Sequence, residues 1–308
     1  MILAAVDVNP PLGLAGTYDR EVPVGVDRVW ENVFDWEHLP ALHRDQFHSI
    51  ALLDSGAWGW RARVLNQPGV GAPQVIEVRA DRPSGRYVSA TLEGPGAGSE
   101  VRTLLTPLAS DRTGVSVAFH VPESDPGRLA RIGDRYREIY ARLWDEDEAM
   151  MVERERALDR RRMRPATGDD PVVLGTPEAV RAAAPLLVEF GGARFRILDL
   201  DGELVVHAAT CPHWLGPLDE APVRDGCVRC PWHDYVFDVR TGRSADGRDL
   251  RLATPPRLVL SAGQLSLVAV RADRKGPVSS AKKPVAAGDR MPSTPSDMVS
   301  SGSRGAAR

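Results

Sequence analysis

Cys211-Pro-His213 and, after sixteen intervening residues, Cys230-Pro-Trp-His233 decide how this chain is read. The pattern is C-x-H-x16-C-x-x-H. Two thiolates and two imidazoles on paired loops suit a [2Fe–2S] cluster in which histidines hold one iron and cysteines the other. Such a cluster moves one electron at a time, so a destination for that electron is required. Around the two loops, residues 171–271 are strand-rich. Thr176-Pro177-Glu178 opens a short helix, and Asp201-Gly202 is a strong two-residue hairpin turn between 195–200 and 203–207. His207 sits in an apolar strand just before the first loop and is expected to be a packed or hydrogen-bonded histidine.

The chain has 308 residues, enough for two domains. Its 43% hydrophobic and 26% charged residues describe an ordinary globular protein. A net charge of −3 gives no reason to expect a nucleic-acid partner. No apolar run is long enough to span a membrane. The opening MILAAVDVNPPLG has neither the positive start nor the long apolar run of a secretory signal. The expected location is the cytoplasm. Three cysteines, two of them in the cluster pattern, are too few for a disulfide framework. The third, Cys227, is expected as a small buried core residue.

Upstream, residues 1–165 read as a separate α+β domain. Alternating residues predict strands at 17–24, 49–53, 58–65, 74–80, 86–93, 100–108 and 113–121, with a helix over 26–38. A long helix is predicted over 126–160, capped by Ser124 or Asp125, with Pro126 in its first turn. An antiparallel sheet curled around one long closing helix, with a cavity between them, follows. Gly94, Gly96 and Gly98 lie between strands and read as a turn, not a dinucleotide loop. Residues 163–170 form a polar linker. Residues 272–308 are rich in Ser, Pro, Gly, Ala and basic residues and are expected to be a disordered tail.

The segments CPHWLGPL from Cys211 and CPWHDYVFDVRTG from Cys230 resemble the two binding loops of the Rieske family, and the resemblance covers residues 171–271. It implies that Cys211, His213, Cys230 and His233 are the cluster ligands. Cysteine and histidine also bind zinc, but the sixteen-residue spacing, both prolines and Phe237-Asp238 argue against it. Where the family often carries glycine, this chain has Leu215 and Asp234. High-potential respiratory members have a disulfide between positions that correspond to Gly216 and Trp232, which cannot form one. Their sulfur-directed serine and tyrosine correspond to Tyr235 and Phe237. The expected potential is therefore near the low end of the roughly −150 to +300 mV Rieske range.

The first domain carries three histidines, His38, His43 and His48, within eleven residues. Asp35 and His38, three apart, share a helix face. His43 is about 140° from His38 on a straight helix. Pro40 is expected to end the helix at Leu39 and let His43 turn back. An iron site of the two-histidine, one-carboxylate kind needs a further acid. On the long helix an apolar stripe through Leu129, Ile132, Tyr136 and Leu143 continues to Asp147, an acid that is costly there unless paired or bound to metal. Asp145 points the other way by phase.

This set resembles the catalytic domain of Rieske non-haem iron oxygenases: Glu31-Asn32, Asp35, His38 and His43 match D-x2-H-x4-H and its preceding pair, and Glu146-Asp147 matches the distal pair. The resemblance implies Fe(II) on His38, His43 and Asp147, with Asp35 bridging a metal histidine to a cluster histidine. The domain order is reversed, and the first domain is closer in size to a START-like (SRPBCC) ligand-binding domain of helix-grip fold. Two functions stay open. One is a mono- or dioxygenase that passes electrons to Fe(II) and activates O2 on a hydrophobic or aromatic small molecule. A separate ferredoxin or flavin reductase feeds it, and transfer between subunits suggests a homotrimer. The other is a Rieske electron carrier fused to a metal-free ligand-binding cup whose rim or cavity the histidines line. Trp58, Trp60, Met150 and Met151 are candidates for pocket lining or, more simply, for core packing. His48 is not expected to be a ligand.

Overall fold

The computed structural model describes residues 11–163 and 170–270. The expected tail at 272–308 and nearly all of the expected linker lie outside the described residues. The first half runs β1 (Gly13–Val22), α1 (Val26–Phe34), α2 (Leu39–Leu42), β2 (Phe47–Gly56), β3 (Gly59–Asn66), β4 (Gln74–Asp81), β5 (Arg86–Glu93), β6 (Glu100–Ala109), β7 (Arg112–Val121) and α3 (Pro126–Arg162). The seven strands form one antiparallel sheet in the order β1-β7-β6-β5-β4-β3-β2, so the chain meanders and then closes on its first strand. The sheet grips α3, which is the helix-grip α+β architecture expected from the alternating strands.

Period-two burial explains the sheet. Along β7, Val115, Val117, Phe119 and Val121 are buried while the residues between them are more exposed. Phe119 stacks on Tyr136 of α3 with ring centroids 4.9 Å apart. Asp125 caps α3 by accepting from the Arg128 N–H at 2.8 Å, and Pro126 occupies the first turn. β1 and α3 approach closely where both lack side chains: a Cβ on Gly133 would lie 2.0 Å from the Ala15 carbonyl oxygen.

Two expectations about the helix near the histidines are corrected. It stops at Phe34, not His38, because Asp35 turns extended (φ −87°, ψ 91°). The Trp60 indole N–H of β3 reaches across 2.9 Å to the Val33 carbonyl and satisfies one of the carbonyls a helix end leaves free. Pro40 does not end a helix; it sits in the first turn of α2, where its missing N–H costs nothing.

The second half contains β8 (Val172–Gly175), α4 (Pro177–Ala183), β9 (Leu186–Phe190), β10 (Ala193–Leu200), β11 (Glu203–Ala208), β12 (Val223–Arg224), β13 (Cys227–Arg229), β14 (Val236–Asp238), β15 (Arg257–Ser261) and β16 (Gln264–Val268). Nine strands make three small antiparallel sheets. The Asp201-Gly202 turn joins β10 to β11 with both residues at positive φ, as a two-residue hairpin demands. Cys227 is half-buried at the start of β13, not a core residue. The two halves pack into one compact unit, and α3 serves both: Met150 joins the second half's core and Met151 the first's.

Candidate metal centres

The loop after β11 and the loop between β13 and β14 bring Cys211, His213, Cys230 and His233 together. Both cysteines are buried. The buried Nδ1 atoms of His213 and His233 have no hydrogen-bond partner. Two thiols beside two bare ring nitrogens fit a metal group bound through both sulfurs and both Nδ1 atoms. Burial and the nearby His233 push the His213 pKa down to about 4, which keeps that ring neutral and able to ligate. The adjoining Cys211 holds the Cys230 thiol below its usual range. Gly216 has no room for a side chain, since a Cβ would lie 2.8 Å from the Cys230 sulfur and 3.1 Å from the Trp232 ring. Leu215 (φ 64°) and Asp234 (φ 57°), which replace two frequent glycines, both hold the left-handed backbone that glycine adopts freely.

The second group lies on the other face of His233. Its Nε2–H donates to Asp35 Oδ2 at 2.7 Å. The same Asp35 oxygen is 3.3 Å from His38 Nδ1. His38 Nε2 in turn lies 3.4 Å from Asp147 Oδ1, and His43 Nε2 lies 3.2 Å from that atom. His38 and His43 flank α2, one before and one after its single turn, and their rings come to 5.2 Å centre to centre. One donor atom from each of His38, His43 and Asp147 lies within 4.8 Å of the others. All three residues are buried. Asp145 instead pairs with Arg20 at 2.6 Å and is 68% exposed.

Hydrogen-bond chemistry fixes which nitrogen of His43 is free. A carboxylate only accepts. His43 Nδ1–H therefore donates to Glu146 at 2.6 Å and leaves Nε2 bare toward Asp147. Asn32 Nδ2 donates to Asp147 Oδ1 at 2.9 Å, holding the acid in place. Burial opposes charge on Asp35 and Asp147, yet the adjoining imidazoles outweigh it and hold both carboxyls well below their usual range. Burial likewise opposes charge on His38, but Asp147 and Asp35 push its pKa up to about 10. Two buried carboxylates thus draw positive charge to the space between them, a demand a bound cation meets directly. Two rings, one carboxylate and ring-orienting acids fit a divalent iron of the two-histidine, one-carboxylate kind.

Contacts not foreseen from the sequence hold the two groups in register. The Tyr235 hydroxyl donates to Glu37 at 2.7 Å, its ring stacks on His213 at 4.4 Å and 17°, and the Arg248 guanidinium sits 3.8 Å over that ring. Arg154 of α3 donates to both Glu31 (2.8 Å) and the Trp214 carbonyl (2.9 Å), the latter in the first cysteine loop. Glu37 lies inside the Asp35–His38 spacing, and that position was its only signal.

Between α3 and the sheet lies a cavity of about 450 Å³. Phe47, Ile76, Val101, Tyr136, Tyr140 and Leu143 supply much of its apolar wall. Trp60, Met150 and Met151 are core residues and do not line it, and Trp58 lies under Arg79. His48 is exposed on β2. His207 is buried and donates from Nδ1 to the Ala208 carbonyl at 3.0 Å, as a packed histidine does.

Comparisons with known proteins agree with the cluster geometry. The Rieske [2Fe-2S] domain family matches residues 170–256. The anthranilate 1,2-dioxygenase ferredoxin subunit of Burkholderia cepacia is 46% identical over 50 residues, which is 16% of this chain and 44% of that protein. Human apoptosis-inducing factor 3 is 36% identical over 59 residues, 19% of this chain and 10% of that protein. The chain thus spans only a tenth to under half of the length of these relatives. Among solved structures, the ZhuI aromatase/cyclase from Streptomyces sp. R1128 aligns over 46% of this chain and 95% of its own (TM-score 0.39, 14% identity). Norcoclaurine synthase from Thalictrum flavum aligns over 50% and 96% (TM-score 0.37, 17% identity). No helix among the described residues is long and apolar enough to cross a membrane. Following a helix-grip first half, residues 170–256 of this chain are a Rieske [2Fe–2S] domain.

Proposed function

We propose that this protein is a Rieske-type non-haem iron oxygenase whose electron relay is complete within one chain. Residues 1–165 would be its catalytic helix-grip domain and 171–271 its electron-carrying domain. The observation that carries the reading is the single Asp35 carboxylate, which touches the outer nitrogen of His233 on one side and of His38 on the other. A [2Fe–2S] cluster on Cys211, His213, Cys230 and His233 supplies electrons one at a time. His38, His43 and Asp147 would hold ferrous iron, which would supply O2 activation.

The chain's own residues do the rest. Asp35 orients the His233 ring by its hydrogen bond and lies 3.3 Å from His38 Nδ1, so one carboxylate spans the gap between the two rings. Glu146 sets the His43 tautomer and Asn32 holds Asp147. Buried Trp144, Met150 and Met151 keep water from the α3 side. The apolar cavity, which reaches Leu143 one turn before Asp147, takes a hydrophobic or aromatic small molecule. A separate ferredoxin or flavin reductase is the electron source.

The competing reading is an electron carrier joined to a metal-free ligand cup; the match to a dioxygenase ferredoxin subunit favours it. Iron content separates the two. Anaerobically reconstituted protein should hold about three irons per chain, falling to two in the His38→Ala/His43→Ala double variant. Nitric oxide should give a high-spin ferrous–nitrosyl signal only in the former. Two irons in both proteins, with no nitrosyl signal, would reject the oxygenase.

A further inference from the structure

The helix-grip cavity has an uneven distribution of charge. Along α3 its wall runs from Arg131 to Leu143. Twelve residues at 1.5 Å rise make that about 18 Å. The wall is apolar in the middle, at Ile132, Tyr136, Ile139 and Tyr140, and then reaches Leu143. That end adjoins the ring pair: Phe47, also in the wall, lies 6.1 Å from His43 ring to ring. At the other end stand Arg131 and Arg135, one helical turn apart and on the same face.

These two arginines are the charged residues of the cavity wall, and no acid lines it. Arg135 has one exposed partner, Glu138, at 3.3 Å. Arg131 has no ion-pair partner among the described residues. Two guanidinium groups at the edge of an apolar space, with one weak surface partner between them, favour an anion there. Hydroxyls of Ser89 and Thr91 on β5 and of Ser99 just before β6 add donors but no negative charge.

We propose that the cavity binds an elongated, mainly apolar molecule with a terminal carboxylate or equivalent anion. The anion lies at Arg131 and Arg135, and the apolar body runs along α3 toward His43 and Asp147. A compact neutral aromatic would leave the arginine end empty, and a chain-like or arylalkyl acid fills both ends. That the far end is the reacting end rests on the oxygenase reading; the preference for an acid does not.

Pyrene-1-butanoate and pyrene-1-butanol, titrated calorimetrically into the full chain at pH 7.5 and low salt, provide the test. The acid should bind about tenfold more tightly than the alcohol, and added salt should narrow the gap as exposed charges are screened. An Arg131→Gln/Arg135→Gln double variant should lose that preference while binding the alcohol as before, which also shows the cavity intact. Equal binding of acid and alcohol, a preference that survives both substitutions, or no binding of either compound would each overturn the proposal. The His38→Ala/His43→Ala variant should keep the acid preference. An iron count of two in the unsubstituted protein would reject the oxygenase and leave the ligand assignment standing.

Discussion

Asp35 is the residue on which the two halves meet. It accepts from His233 and faces His38, and it was legible in the sequence only through its three-residue spacing from His38. Its partner His233 lies 198 positions away, and nothing local announces that pairing. Replacing Asp35 by Asn keeps the shape but removes the negative charge. Turnover should fall by about 10–100-fold, as for other outer ligands' partners. The cluster potential, read by spectroelectrochemistry, should rise because a nearby anion is gone. An unchanged potential and rate would remove Asp35 from the relay. In the wild-type protein the potential should lie near the low end of roughly −150 to +300 mV. Phe237 has no hydroxyl, and Tyr235 commits its own to Glu37, so neither donates to cluster sulfur. A measured value near the top of that range would contradict this account.

Among elements, strand alternation and the capping of α3 were plain in the residues, because both depend on neighbours in sequence. Where α1 ends was not, because the Val33 carbonyl in its last turn is satisfied by Trp60, a residue on β3. The phase that put Asp147 inward and Asp145 outward held because α3 is regular across that stretch. Trp60 and Met150 pack in the core, the simpler of the two roles their size and apolarity allow. The contact between α3 and β1 gives a test. Gly133→Ala gains about 1 kcal/mol of helix propensity. The added methyl, however, would lie 2.0 Å from the Ala15 oxygen, and such overpacking costs about 1–3 kcal/mol. Clash should win, with a Tm drop of a few degrees; a raised Tm would show that the sheet gives way. The turn after β14 gives another. Asp238 is held below the usual carboxylate range by the Thr241 backbone N–H, with the Thr241 hydroxyl and Arg240 N–H assisting against burial. A depressed folded-state pKa stabilises above the unfolded value and is lost as pH falls through the folded one. Acid unfolding of the second half should therefore begin at higher pH in Asp238→Ala, and an Asp238→Asn variant should lose part of the acid slope. Identical acid profiles in all three proteins would exclude the linkage.

For the whole molecule, the reversed domain order matters less than the distance it leaves. An Asp35 that reaches His233 of its own chain needs no neighbouring subunit to bring the two groups together. Mixing an Asp35→Asn protein with a His233→Ala protein should restore no activity, and specific activity should not change on dilution. Recovery of activity in the mixture would mean that electrons cross between chains. This arrangement could not be foreseen from motif spacing, since spacing says which residues can share a site and not which copy supplies them.

α3 is a single 37-residue helix. It presents Asp147 to the ring pair and, two turns later, clasps the Trp214 carbonyl with Arg154. It therefore acts as a ruler with both groups marked on it. One residue inserted between these two marks would rotate Arg154 by about 100° and slide it 1.5 Å, so the first cysteine loop would lose its anchor while every ligand remained in the sequence. An insertion in that interval therefore either turns Arg154 off the loop or, once the phase is restored, slides it about 5.4 Å per turn along the axis.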